Sequence, residues 1–349
     1  MGGFFIFKII LYICRMKKEK INQLVEILSI PSYFGMEYLV MDYLIQHGQD
    51  KGYKVHQDDK GNVYFEKGEL DNDEFFPCVV AHTDTVFDKH VELIKNNQKK
   101  DIRFGKKKTN NTKLFAYMPG TDSRTGIGGD DLAGVFICLQ MMEKFDKIKA
   151  AFFVEEEFGC QGSSQCDDTF FGDVGYAIQF DGPTGNWFTK TLGGVKVYSD
   201  DSFGLVKPIL EKYNVSNYSD DPYTDILPLK EKFDFTCFNL PTGYFNWHTN
   251  EEFVDVRHVE KGMNIGIEFI NKLGNKKYKH ELLPSEYDFF GYNDFAIETH
   301  IDDEMDIEMI CEKCGGDLEY DVIDFDNVLK CDSCGWIKKE DDINFNIEE

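Results

Sequence analysis

Positive charge is scarce in this 349-residue chain: 38 lysines and arginines stand against 63 aspartates and glutamates, a net charge of −25. Such a balance repels nucleic-acid phosphates and anionic membranes, so neither is expected as a partner. The one basic cluster, near Asn96 to Lys113, reads as a solvated loop or edge hairpin. Long apolar runs are missing too. The opening MGGFFIFKIILYIC is interrupted by Lys8, falls short of the roughly 20 residues a membrane span needs, and has neither a preceding basic stretch nor a small-residue cleavage site. Residues 1–15 are therefore set aside as an N-terminal extension of uncertain role, with Met16 opening a more ordinary start. Ten cysteines in a chain this long are too few for a disulfide scaffold, and four of them fall in a spacing that metals use. That combination suits a reducing compartment, the cytoplasm. No internal repeat is found.

What is present is the material of a folded protein: 42% apolar and 15% aromatic residues, enough for one sizeable core plus a small second module. Ile21, Leu24, Val25 and Leu28 have helical spacing and stop at Pro31; Met36, Leu39, Val40, Tyr43 and Leu44 repeat it as far as Gly48. A hairpin turning near Lys60-Gly61 follows, then the apolar strand FFPCVVAH. Further strands are expected to end at Val154, Phe180 and Leu240, and helices to cover about Leu132–Phe145, Phe203–Tyr213 and Val259–Leu273. Apolar strands alternating with helices indicate an α/β fold with a mixed, largely parallel central sheet flanked by helices. Residues 275–306 turn polar and acidic, as a linker does. The expected organisation is thus an extension (1–15), a catalytic domain (16–274), a linker (275–306) and a cysteine module with an acidic tail (307–349).

In open α/β sheets, sites gather at the carboxyl ends of the strands, where the loops diverge. Those ends carry His82 and Asp84 (AHTDT), Glu155-Glu156-Glu157 (VEEEFG), Asp181 (FDGP) and His248 (NWHTNEE), and the turn GGDDLAG adds Asp130 and Asp131. Singly, each of these is more often a helix cap, a solvated turn or a core histidine. Together they supply imidazoles and carboxylates from five places, a mixed donor set that suits Zn²⁺ better than Mg²⁺ or Ca²⁺.

With these residues in view, the chain resembles the co-catalytic di-zinc exopeptidases of clan MH, the group of peptidase T, the acetylornithine deacetylase and carboxypeptidase G relatives and the zinc aminopeptidases. The resemblance rests on HTD, GGDDLAG, EEFG, DG and WHTNEEFVDV, with LVEILSIPSYFGMEYLV and DDKGNVYFEKG before them, and covers about residues 17–273. It implies one metal held by His82 and Asp181, a second held by Glu157 and His248, and Asp130 bridging both, at a cis peptide between Asp130 and Asp131. It also implies Asp84 as the carboxylate that orients His82, Asp131 as the residue that orients the turn, and Glu156 as general base toward a water between two zinc ions, for which cobalt or manganese could substitute. The family's lid domain does not fit into the 66 residues between Asp181 and His248; a lidless, monomeric enzyme is expected, with Tyr223 as one candidate for the missing oxyanion donor.

The cysteine module, Cys311-x2-Cys314, sixteen residues, Cys331-x2-Cys334, has the spacing of a zinc ribbon. Four sulfur ligands leave no open position, so its zinc would be structural, and the ribbon offers a surface on which an unknown protein could dock. Cys160 and Cys166 match no ligand position and read as ordinary thiols. The expected activity is that of a zinc-dependent aminopeptidase acting on short peptides. A carboxypeptidase or an N-acyl amino-acid deacylase could use the same ligands. An alternative of another class is a binding protein in which the ribbon recruits a partner beside a vestigial peptidase domain; the completeness of the metal set counts against it.

Overall fold

The computed structural model describes residues 16–107 and 111–282, together with the backbone of the strands at 318–323, 326–331 and 337–339. In chain order the first unit runs α1 (Lys18–Ser29), α2 (Tyr38–Asp50), β1 (Lys54–Gln57), β2 (Val63–Lys67), β3 (Phe76–His82), α3 (Asp88–Lys95), β4 (Asp101–Phe104), β5 (Lys113–Tyr117), β6 (Arg124–Thr125), α4 (Gly129–Lys144) and β7 (Ile148–Phe153). It continues with α5 (Gln161–Ser164), β8 (Val174–Gly182), β9 (Trp187–Leu192), α6 (Asp200–Lys212), β10 (Asn217–Asp221), α7 (Ile226–Lys232), β11 (Thr236–Pro241), β12 (Tyr244–Phe245), β13 (Phe253–Asp255) and α8 (Val256–Leu273).

The central sheet has the order β1-β2-β7-β3-β8-β11. Its last four strands are parallel, and the β1–β2 hairpin joins antiparallel to β7. β3 and β7 are buried along their whole length, which is why both read as unbroken apolar runs rather than alternating ones. Helix α4 packs on β3 and β8 while α1 and α8 cover its other side; a helix enclosed in this way is apolar all round, and every residue from Gly129 to Met142 is buried. Although α4 opens at Gly129, Asp130 (φ −81°, ψ 98°) and Asp131 (φ −122°, ψ 31°) depart from helical dihedrals, so regular helix starts at Leu132, where the sequence places it. The expected cis peptide joins the two aspartates.

Two features were not read from the sequence. A second sheet, β12-β13-β5-β4 with β6 on β5, is antiparallel throughout, and β9 and β10 form a small parallel pair. The basic cluster supplies the β4–β5 hairpin at the edge of the second sheet, but Lys100 turns inward and is 3% exposed. Between Asp181 and His248 the chain is occupied by β9, α6, β10, α7, β11 and β12, which leaves no room for a separate lid.

Residues 292–349 form a second unit. Its described part is a three-stranded antiparallel sheet, β14 (Leu318–Ile323), β15 (Asp326–Cys331) and β16 (Ile337–Lys339). Cys311, Cys314 and Cys334 of the expected ribbon lie outside the described residues, as do residues 1–15 and most of the expected linker, and of Cys331 only the backbone is described. Among the described residues no helix is long and apolar enough to cross a membrane.

Candidate metal centre

Because β7, β3, β8 and β11 run parallel, their carboxyl ends share one edge, and every strand-end residue singled out in the sequence arrives there. His82 closes β3, Glu155 to Glu157 follow β7, Asp181 lies near the end of β8, and Asp130 opens α4. His248 comes from the loop between β12 and β13, so the second sheet contributes the last donor.

Asp130 stands at the middle. Its Oδ1 is 3.1 Å from His82 Nε2 and its Oδ2 is 3.5 Å from His248 Nε2. His82 Nε2 lies 3.5 Å from Asp181 Oδ1, and His248 Nε2 lies 3.0 Å from Glu157 Oε2. The donors therefore fall into two triplets, His82/Asp130/Asp181 and Asp130/Glu157/His248, each with its ligand atoms within 4.8 Å of one another. Zinc–donor distances of about 2.0–2.2 Å place neighbouring donors of a tetrahedral ion roughly 3.3–3.6 Å apart; the spacings here suit such an ion with small adjustments. A third close triplet, His82/Glu156/Glu157, contains the longest of these contacts, 3.9 Å from His82 Nε2 to Glu156 Oε2.

The electrostatics suit residues that could hold a cation. Burial above all, and repulsion from Asp130, raise Glu157 to about 7. Burial with the same neighbour lifts Asp181 to about 6, and Glu156 is held well above the glutamate range by burial, with His82 pulling the other way. Carboxylates packed together out of water repel, and positive charge among them removes the penalty. Asp130 is the exception: burial would raise it, but hydrogen bonds from His248 and His82 hold it below the usual range.

Other residues fix these donors. Asp84 Oδ1 is 3.3 Å from His82 Nδ1, off the line of a good hydrogen bond, while its two oxygens accept the backbone N–H groups of Glu156 and Glu157 at 3.0 Å each. It thus anchors two loops at once. Asp131 accepts from His82 N (3.3 Å) and Gly134 N (3.1 Å), tying the turn to β3. Asp181 takes hydrogen bonds from Thr224 Oγ1 (2.7 Å) and Gln179 Nε2 (3.3 Å), and Tyr244 donates its hydroxyl to the Asp181 carbonyl (2.8 Å).

Several buried polar residues of the centre escaped the sequence reading. Glu252 accepts from Gly128 N (2.7 Å) and Asp130 N (3.0 Å), and burial lifts it to about 8. Beside it Lys100, lowered to about 7 by burial, donates to Ile127 O at 2.7 Å. Asp225 is wholly buried beside the cluster and raised to about 7, burial again leading. A glutamate four residues from the marked His248 and a threonine-aspartate pair ahead of α7 were the available signals. Tyr223 lines the cleft at 45% exposure. Cys160 and Cys166 are buried free thiols, which burial keeps protonated.

The fold is one found among aminopeptidases and tripeptidases. No profile of a known protein family and no curated protein matches the sequence, but solved structures do. Aminopeptidase PepT from Bacillus cereus matches with a TM-score of 0.54 at 13% identity, covering 73% of this chain and 98% of that one. A tripeptidase from Staphylococcus aureus matches with 0.54 at 12%, covering 72% and 96%. The TET1 peptidase of Pyrococcus horikoshii, which can assemble into a tetrahedron or a large octahedral shell, matches with 0.51 at 16%, covering 72% and 98%. At these identities the likeness is one of fold.

Proposed function

We propose that the chain is a zinc-dependent exopeptidase, an aminopeptidase acting on short peptides. The observation that carries this reading is the place of Asp130, whose two carboxylate oxygens face two histidines from different sheets, each histidine next to a further carboxylate. His82, Asp130 and Asp181 would hold one ion and Asp130, Glu157 and His248 the other. Bound there, the ions would polarise the scissile carbonyl and lower the pKa of water toward about 7.

Glu156 is buried at 6% exposure and lines the same cleft. It stands outside both triplets that share Asp130, so it is free to take a proton from the attacking water. The water oxygen bonds to the carbonyl carbon, the carbon–nitrogen bond breaks, and Glu156 returns the proton to the leaving amine. Asp84 keeps the Glu156 loop in register by accepting its backbone N–H, and Asp131 does the same for the β3 end.

The cleft, about 420 Å³, favours an amine over a carboxylate. Its walls carry Asp220 and Asp221 in addition to the cluster, and neither lysine nor arginine lines it. A substrate's free α-amine finds carboxylates there, whereas a terminal carboxylate finds no cationic side chain beyond His248. This lining supports the aminopeptidase reading over a carboxypeptidase or an N-acyl amino-acid deacylase built on the same ligands. The test is a tripeptide with a free amine beside its N-acetylated twin: cleavage confined to the free form supports the reading, and cleavage confined to the acetylated form rejects it.

A structural zinc on Cys311, Cys314, Cys331 and Cys334 belongs to the same proposal, as do a catalytic domain spanning 16–274 and action in the cytoplasm. Three zinc ions per chain would fit the enzyme; a single one would fit a ribbon adaptor with a vestigial domain. The expected monomer is not carried forward. It rested on the missing lid contacts, and a structural neighbour that assembles into a tetrahedron or a large octahedral shell counts against it.

A further inference from the structure

The walls of the cleft consist mostly of acceptors, and most of their donors are spent. Trp187 Nε1 donates to Asp221 at 3.1 Å, Thr224 Oγ1 to Asp181 at 2.7 Å, and the Tyr244 hydroxyl to the Asp181 carbonyl at 2.8 Å. Asn239 is different. It lies on β11 opposite Gln179 of β8, lines the cleft, and is 3% exposed. Its Oδ1 accepts the Asp181 backbone N–H at 3.0 Å. An amide whose oxygen is fixed by a backbone donor must present its NH₂ group on the other side, and among the described residues Nδ2 has no hydrogen-bond partner.

We infer that Asn239 Nδ2 donates to the oxygen of the scissile carbonyl, which makes Asn239 a catalytic residue; the inference rests on the exopeptidase reading. As the water oxygen bonds to the carbonyl carbon, the π pair moves onto the carbonyl oxygen. A fixed neutral donor aimed at that oxygen stabilises the charge that develops there. The pair returns as the carbon–nitrogen bond breaks and the nitrogen takes the proton held by Glu156. Trp247, at 41% exposure, and Tyr223, at 45%, also line the cleft but sit where water can serve them. Asn239 is held by β11 at the cleft wall, with its oxygen already fixed by the Asp181 backbone N–H.

Two substitutions in the zinc-loaded full chain test this, with Leu-Gly-Gly as substrate. Asn239→Asp keeps an oxygen for the Asp181 N–H and removes the donor, while Asn239→Ala removes both without adding charge. Both should lower kcat by about 10²–10³-fold, the loss seen when one oxyanion donor is deleted. KM should stay within about threefold, as for an interaction made only in the transition state, and Asn239→Asp, which keeps the acceptor for the Asp181 N–H, should hold its full zinc content. In the wild-type chain, the Asn239 side-chain amide resonances should shift downfield when a phosphinic analogue of the tripeptide binds. Wild-type kcat in Asn239→Asp would overturn the inference. So would a loss confined to KM, or loss of zinc in Asn239→Ala that Asn239→Asp restores together with turnover. Failure of the wild-type chain itself to cleave or bind would instead remove the peptidase reading, and the role of Asn239 with it.

Discussion

Replacing Gly134 by alanine puts one methyl group into the tightest corner of the centre. Its Cβ would lie 2.1 Å from the Phe180 carbonyl oxygen and 2.3 and 2.4 Å from the two carboxylate oxygens of Asp131. Carbon–oxygen contacts settle at about 3.3 Å or more, so the β8 backbone or Asp131 must retreat by roughly 1 Å. Both are tied to the His82/Asp130/Asp181 triplet: Phe180 precedes Asp181, and Asp131 accepts the His82 backbone N–H. Overpacking of this kind costs about 1–3 kcal/mol, partly offset by the ~0.5–1 kcal/mol that alanine gains over glycine inside a helix. At about 2–4 °C per kcal/mol for a domain of roughly this size, calorimetry of the zinc-loaded chain should show Tm lower by several degrees, with zinc affinity weakened. Gly204 in α6 is the control, since nothing lies within 4 Å of a Cβ built there. Gly204→Ala should raise Tm by a degree or more, through the same ~0.5–1 kcal/mol helix term. Equal stability of Gly134→Ala and wild type, or the same sign for both substitutions, would refute the packing argument.

Three other outcomes are expected. Glu156→Ala should retain its zinc by elemental analysis yet lose most turnover; an unchanged rate would remove it from the mechanism. Tyr244→Phe deletes the hydroxyl that holds the Asp181 backbone, and a loss of such support costs about 10–100-fold in zinc affinity; competition against a fluorescent chelator measures it, and an unchanged affinity would deny the contact any role. The third concerns pH in the chelator-stripped chain. Asp181 at about 6 and Glu157 at about 7 are carboxylates raised by burial, so the fold binds more protons than the unfolded chain between about pH 4 and 7 and loses stability as pH rises through that window. Hydrogen bonds to Asp130 and Glu157 raise His248 to about 10; its contribution, complete below about pH 6.5, is lost on the way up to pH 10. The gain in Tm on adding zinc should therefore be larger at pH 8 than at pH 5, and equal gains would contradict the linkage.

The strand-end donors could be picked out from the sequence because buried parallel strands leave runs that periodicity detects: FPCVVAH, AAFFV and GYAIQF are largely apolar, the first ending at His82 and the other two just before Glu155 and Asp181. The second sheet left no such trace. Its strands are short, β6 and β12 having two residues each; β4 is only half-buried, and β5, whose burial does alternate, reads KLFAY, apolar or aromatic at every position after its lysine, so the sequence does not show the alternation. Lys100 looked like one more member of a basic loop, because nothing local tells an inward lysine from its neighbours; its partners, the Ile127 carbonyl and the nearby charge of Glu252, lie 27 and 152 positions further along. Asn239 was hidden for a related reason. Its meaning lies in an unused N–H group beside Asp181, a relation between two strands rather than a motif within one.

The central claim is that Asp130 joins two metal sites on which peptide cleavage depends. Zinc titrated into the chelator-stripped full chain, with release of the first residue of Leu-Gly-Gly followed at each addition, tests it most directly. Turnover should climb to a plateau reached at three bound ions per chain, one of them the structural zinc, and Asp130→Ala should abolish both the climb and the binding of the other two. A stripped chain that already turns over at full rate, or an Asp130→Ala variant that binds three ions and cleaves as before, would contradict the claim.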